Sequence, residues 1–478
     1  MGAMLEKAII PENLKVAMEL SAWLLLVAGA TLLVTLGVLS LEGCICVATL
    51  LMLSLFMAAW KGFDGGRHPC FLFLGMLLVF QFGRLIAHLF GAFPDPMQID
   101  VATPVPFQIS TSAAEMTLLI LVLSAICIYA PCRFGYRPEI FRQSSEVRWL
   151  PALYVLILIT LPFALYKNWV YFSYIRAHGG YLAVYTENAE ILQSAGSVVR
   201  SIALVSSTAL LTAYVFERKS KRILWILILY IALSTLDLLI GFRGKFFSQA
   251  LGLWYIHKLK TGSRFNLAPM VSAATAVCVL AVVVAGFREN QGVELLNPFS
   301  FLAQQGASLN VTEAAVAFHQ FFGRFGVNYV WYGFLYDITG VPVELHHQLW
   351  TNDLTNFLNP AATEMGFGTA SAYIAELYLL GGIVAVFLGS LAIGFTLKAI
   401  HRASQHNWGA VLTAFALPSL IYLPRLELLG PVAAVVRAMI GFVPVVAFVI
   451  LFSWAQSFMR LVAHSHVQRN EIQRSATR

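Results

Sequence analysis

A chain of 478 residues that is 59% hydrophobic and only 12% charged lies far from soluble domains, where roughly a quarter of residues are charged. Its apolar residues fall in repeated runs of roughly 20, long enough to cross a bilayer as helix, which excludes a soluble enzyme. The net charge of +7 does not point to nucleic acid, because the basic residues concentrate in short loops between the runs.

In chain order the apolar runs cover 18–41, 43–60, 70–90, 113–131, 149–166, 195–216, 223–242, 246–259, 267–287, 372–397, 408–424 and 431–456. The fold class expected is all-α: a polytopic integral membrane protein with about twelve transmembrane helices. One membrane domain, 1–478, is expected to carry them all. The first run has no small-residue cleavage site and is followed at once by another, so it reads as a retained helix. The run at 246–259 is short enough to be re-entrant, but dropping it would put the basic tail outside, so it is kept as a crossing.

The loops fix the orientation. "KGFDGGRH", "CRFGYRPEIFRQSSEVR", "ERKSKR", "KLKTGSR", "KAIHR" and the tail with Arg460, Arg469, Arg474 and Arg478 are basic, and therefore inside, as are both termini. Segment 91–112 has no Lys or Arg, and 167–194 has only Lys167 and Arg176, so both are placed outside. Pro94, Pro96, Pro104 and Pro106 make 91–112 extended. The long segment 288–371 holds seven acidic residues and only two basic ones, Arg288 and Arg324, and is the largest outer loop. Within it, "NVTEAAVAFHQFF" predicts an amphipathic helix capped by Asn310, with Val311, Ala315, Phe318 and Phe322 on one face. The six cysteines, Cys44, Cys46, Cys70, Cys127, Cys132 and Cys278, lie in or beside the apolar runs and show neither a disulfide framework nor a metal-ligand spacing.

Arg84, Arg200, Arg243, Arg288, Arg425 and Arg437 sit at or just inside the outer ends of runs, against the usual bias. Charge there is costly, so such residues tend to face a bundle interior. Glu115, Asp237, Glu376 and Glu427 occupy the same level and are candidate partners, while snorkelling to headgroups is the plain alternative. Guanidinium forks suit phosphate, so the layer fits a lipid pyrophosphate. His88 stands near Arg84, and His319, His346 and His347 lie in the long loop, where packing is the simpler reading of each. The aromatics from Phe321 to Tyr336, Trp331 among them, suit either an interfacial belt or stacking on sugar rings.

"GFRGKF" at 241–246, "GFRENQG" at 286–292 and "GFGTASAYIAELYLLGG" at 366–382, with "IRAHGGYLAVY" and "YLPRLELLG", resemble the O-antigen polysaccharide polymerase (Wzy) family. The family often has Gly after the last arginine, where this chain has Leu426. The resemblance implies transfer of a growing glycan from undecaprenyl pyrophosphate to the non-reducing end of a new lipid-linked repeat, at the periplasmic face of a bacterial inner membrane. It implies as partners the lipid-linked repeat units, a chain-length regulator and a flippase, with no cofactor and no metal. Consistently, 91–112, 167–194 and 288–371 contain no Asp-x-Asp pair. Candidate catalytic residues are Glu376, either as the base or as the carboxylate that orients an arginine, His319 as the second candidate base, and Arg288 as charge stabiliser. Candidate pyrophosphate and glycan contacts are Arg243, Arg425, Arg324, Arg200, Arg84, Arg437, Tyr181 and Trp331. An O-antigen ligase, a lipid-linked oligosaccharide flippase and a two-halved transporter are the alternatives. The short join after the sixth run and the lack of charge along a through-cavity count against the last two.

Overall fold

The structure is a computed structural model and describes residues 12–100, 106–137, 141, 149–178, 188–240, 243–263, 298–339, 348–364 and 369–476. Its first four helices are α1 (Glu12–Thr35), α2 (Leu41–Gly62), α3 (Pro69–Gln81) and α4 (Gly83–Leu89). A two-stranded antiparallel pair follows, β1 (Gln98–Ile99) with β2 (Phe107–Gln108). Next come α5 (Thr111–Arg133), α6 (Leu150–Ala177), α7 (Asn188–Ser194), α8 (Ser197–Phe216), α9 (Ser220–Ile240) and α10 (Arg243–Thr261). The long loop contributes α11 (Pro298–Gln305), α12 (Ser308–Ala317), α13 (His319–Phe322), α14 (Gly326–Thr339), α15 (Trp350–Leu358) and α16 (Pro360–Glu364). The chain closes with α17 (Tyr373–Ala403), α18 (Asn407–Tyr422) and α19 (Gly430–Ala476).

Among the described residues seven helices are long and apolar enough to cross a membrane, or eight if the bent pair α3–α4 is one span. An all-α polytopic membrane protein therefore holds, while the figure of about twelve is not reached among these residues, and 267–287 lies outside them. Contacts divide the chain into two compact units: residues 1–141, 185–187 and 243–434 form one, and 142–184, 188–242 and 435–478 the other.

Several expected boundaries are corrected. The run 70–90 is not one straight helix, because the chain bends by 61° between α3 and α4. The bend lets Gly83 lie against the Leu302 carbonyl of α11, where a Cβ would come within 2.6 Å of that oxygen. Helix α6 continues well past 166 to Ala177, so part of segment 167–194 is helical. The run 408–424 gives only the 16-residue α18.

The largest correction concerns 372–397. Gly381 and Gly382 break α17, and Gly382 takes φ 61°, ψ −151°, a conformation open essentially to glycine alone. Leu377 packs on Gly389, although 12 residues of straight helix would separate them by roughly 18 Å. Ser124 of α5 hydrogen-bonds both Tyr373 Oη and Ser390 Oγ at 2.7 Å. Tyr373–Leu380 is thus a half-helix folded back on the crossing that starts at Ile383, and it enters the bundle from within.

The long loop builds its own core. Val311, Ala315, Phe318 and Phe322 pack with Tyr329, Trp350, Leu354, Ala372 and Leu379, as the predicted apolar face requires. The expected cap does not form: Asn310 is inside α12 and donates instead to Gln98 O at 2.7 Å and Glu313 Oε2 at 2.9 Å. Ser308, Asn310, Thr312 and Glu313 are buried as well, so α12 is enclosed on all sides.

Candidate functional site

The broken α3–α4 helix sets the first wall of the site in the larger unit. Gln81, the last residue of α3, donates to Pro424 O at 2.9 Å and accepts from Thr312 Oγ1 at 3.1 Å. This ties α3 to α12 and to the 3-10 turn Leu423–Arg425. After the bend, Arg84 points inward and is 5% exposed. Its Nη2 pairs with Asp100 Oδ1 at 2.7 Å, and its guanidinium carbon stands 4.9 Å from the Phe93 ring. Among the described residues its ion-pair partner is Asp100, an acid outside the set expected from the sequence. Arg84 Nε and Nη1 are buried without a hydrogen-bond partner.

Glu313 faces the same space from α12 and is fully buried. Burial pushes its carboxyl up to about 8, against the opposing pull of Asn310 and Arg84, while Asp100 and Asp95 add to the rise. Its Oε1 has no hydrogen-bond partner. At neutral pH such a group is mostly protonated, so it does not cancel the Arg84 charge. Two guanidinium N–H groups and one carboxyl oxygen thus stand buried and unsatisfied in one place, which is costly without a ligand or water.

Arg425 approaches through α11. Its Nη1 donates to Gln305 Oε1 at 3.2 Å, and its guanidinium lies 5.5 Å from the Phe80 ring. The next residue, Gly306, touches Arg84, since a Cβ there would fall 2.4 Å from Arg84 N. Gln305 and Gly306 therefore seat the two arginines on either side of one short stretch of chain.

Glu376 stands on the half-helix and is 1% exposed. Its Oε1 accepts from Ser371 Oγ at 2.7 Å and its Oε2 from Leu428 N at 2.8 Å. Both oxygens are engaged, and the contact with Leu428 N fixes the chain just after Arg425. Asp337 and Glu427 add like charge nearby. His319 is half-buried, edge-on to Tyr378 of the half-helix with ring centroids 5.2 Å apart, and lies over Gly323. His88 is engaged elsewhere, with Glu42 Oε2 at 2.9 Å and Phe93 O at 2.8 Å.

The other expected residues disperse. Arg324 lies 4.7 Å from the Phe325 ring, and Trp331 is exposed beside Phe334. Arg200 and Arg437 belong to the second unit. Arg243 opens α10, while Arg288, Tyr181, His346 and His347 lie outside the described residues. Glu115 lines a cavity of about 300 Å³ between α1, α2 and α5, whose walls are otherwise largely apolar.

Sequence reasoning missed Glu313, Asp100 and Gln305. The available signal for Glu313 was a carboxylate set between Thr312 and Ala314 in the otherwise small and apolar run "NVTEAAVAF".

No curated protein and no solved structure matches this chain. A family model described as O-antigen polysaccharide polymerase Wzy matches residues 20–456, nearly the whole chain. A helical bundle with several apolar spans suits that assignment: the chain belongs to the O-antigen polysaccharide polymerase family.

Proposed function

We propose that the protein polymerises a surface glycan by transferring the growing chain from undecaprenyl pyrophosphate to a lipid-linked repeat unit, at the periplasmic face and without a metal. The observation that carries this reading is Arg84, buried with two N–H groups free and held within one chain segment of Arg425. Preorganised guanidinium donors in a site shut off from water stabilise a departing pyrophosphate. The acceptor hydroxyl attacks the anomeric carbon, the bond from that carbon to the pyrophosphate oxygen breaks, and the hydroxyl proton passes to a base.

The base is His319 in this reading, because it is accessible, whereas both oxygens of Glu376 are already accepting hydrogen bonds. Glu376 is a positioning residue that holds the Arg425 turn to the half-helix. The apolar cavity below Glu115 suits a polyprenyl tail. Bulk loop charge supports placing the arginine layer outside, since the opposite ends of α2, α5, α10 and α17 carry Lys61, Arg133, Lys258, Lys260 and Arg402.

The test is polymerisation by the purified full-length protein, in chelator, with a defined lipid-linked repeat as both donor and acceptor. Elongated lipid-linked product is expected. Transfer only to added lipid A would make the protein a ligase, and transport without bond formation would make it a flippase.

A further inference from the structure

At the end of the larger unit away from the arginine layer, four buried side chains with metal-binding chemistry converge. A ring nitrogen of His68 and the sulfurs of Cys70 and Cys132 all lie within 4.8 Å of one another. The chain delivers them from three places. His68 is the N-cap of α3, where its Nδ1 accepts from Cys70 N at 3.1 Å. Cys132 stands on the last turn of α5, held where its Sγ donates to Gly394 O at 3.2 Å. That contact exists because Gly394 lets α17 approach α5 closely: a Cβ there would fall 2.6 Å from Ile128 O. His401, on the last turn of α17, brings its ring centroid to 4.5 Å from that of His68.

None of the four is more than 5% exposed. His68 Nε2 and His401 Nε2 are both buried without a hydrogen-bond partner, while His401 Nδ1 is oriented by Tyr255 Oη at 2.9 Å. A metal-binding imidazole usually has its other nitrogen held by a hydrogen bond, the position Tyr255 takes here. Phe63 stacked on His68, and Tyr136 edge-on to it, close the cluster from the side.

We infer that His68, Cys70, Cys132 and His401 form a structural site for one zinc ion, which ties the ends of α3, α5 and α17 together. Two sulfurs and two imidazoles are a set zinc takes in closed four-coordinate sites, with Zn–S about 2.3 Å and Zn–N about 2.0 Å. Ligand atoms around such an ion stand roughly 3.3–3.8 Å apart, so the cluster closes by shifts of about an ångström and a turn of the His401 ring. Each thiol releases its proton to the buffer on binding, and both histidines bind as neutral rings. The sequence hides the site because His68-x-Cys70 is separated from Cys132 by two apolar runs and from His401 by most of the chain.

The test uses the full-length protein in detergent, stripped of metal under reducing conditions and titrated with Co²⁺. A sulfur-to-cobalt charge-transfer band and tetrahedral ligand-field bands should saturate at one equivalent, and zinc should displace them. Cys70→Ser and Cys132→Ser should each lose roughly half the charge-transfer band, since each removes one of two thiolates, and the double variant should lose all of it. His401→Gln should alter the ligand-field bands while leaving the charge transfer. Cys127→Ser should match the unaltered protein. Zinc should raise the Tm of the unaltered protein and leave that of the double variant where it was. The proposal is overturned by absence of the band at one equivalent in the unaltered protein, or by its persistence in the double variant. It is overturned equally by a Cys70–Cys132 disulfide in natively isolated protein. An unchanged ligand field in His401→Gln removes His401 as the fourth ligand.

Discussion

Replacing Glu313 by Gln keeps the side-chain volume at the centre of α12 and removes its ionisation. The folded carboxyl titrates near 8, against an ordinary value of 4.5. Between those two values the folded state holds a proton that the unfolded chain has released, so stability contributed by this group falls as pH rises. It is fully present below about pH 4.5 and is lost progressively up to about pH 8, with no further change above. The slope is about 1.4 kcal/mol per pH unit, giving a loss of about 3 kcal/mol between pH 5 and pH 7.5 for a fully buried group. Glu313→Gln lacks that slope. The groups facing the position, Arg84, Asp100 and Asp95, are the same in both proteins, so the difference between the two curves isolates the carboxyl. The assay is thermal unfolding by intrinsic fluorescence in one detergent at pH 5, 6 and 7.5. The two proteins should lie close together at pH 5, and the variant should gain a few degrees in Tm at pH 7.5. A constant offset at all three values, or a variant that loses ground as pH rises, would refute a protonated Glu313 beside Arg84.

Arg84→Lys and Arg425→Lys keep charge but lose the fork; each should cut polymer yield at least ~10-fold, a loss of about 1.4 kcal/mol of transition-state stabilisation, with protein still in the membrane. Normal polymer from both would leave these arginines no part in the chemistry. Gly306→Ala should move α11 away from α4, because its Cβ would meet Arg84 N at 2.4 Å; activity should fall with Tm, whereas unchanged activity would show that the seat of Arg84 does not matter. Glu376→Gln presents an amide donor to one of two donors, Ser371 Oγ or Leu428 N, so it should cost about 1–2 kcal/mol in stability along with activity. A stable, donor-binding but inactive Glu376→Gln would return the base role to Glu376. His319→Gln should do the reverse of what is expected at Glu376, abolishing polymerisation with little change in Tm, since the ring is only half-buried.

The sequence by itself determined that this is a helical membrane protein with repeated apolar runs, and which family it belongs to. Those follow from composition, run length and motif order, all of which are local along the chain. It also placed the apolar face of α12, because 3.6-residue spacing is enough to show Val311, Ala315, Phe318 and Phe322 together. Tertiary structure decided what the charged residues do. Asn310 reads as a cap only until Gln98 O and Glu313 are seen beside it. Glu376 reads as the first turn of a crossing, yet the break at Gly381–Gly382 folds its half-helix back and occupies both its oxygens. Arg84 meets Asp100, Glu313 and the α11 turn only because the chain bends after Gln81. Hydrophobic run length specifies that a segment is buried in a bilayer. Which buried polar atoms find partners depends on neighbours hundreds of residues away, such as Gln81 with Pro424, and no local pattern carries that information.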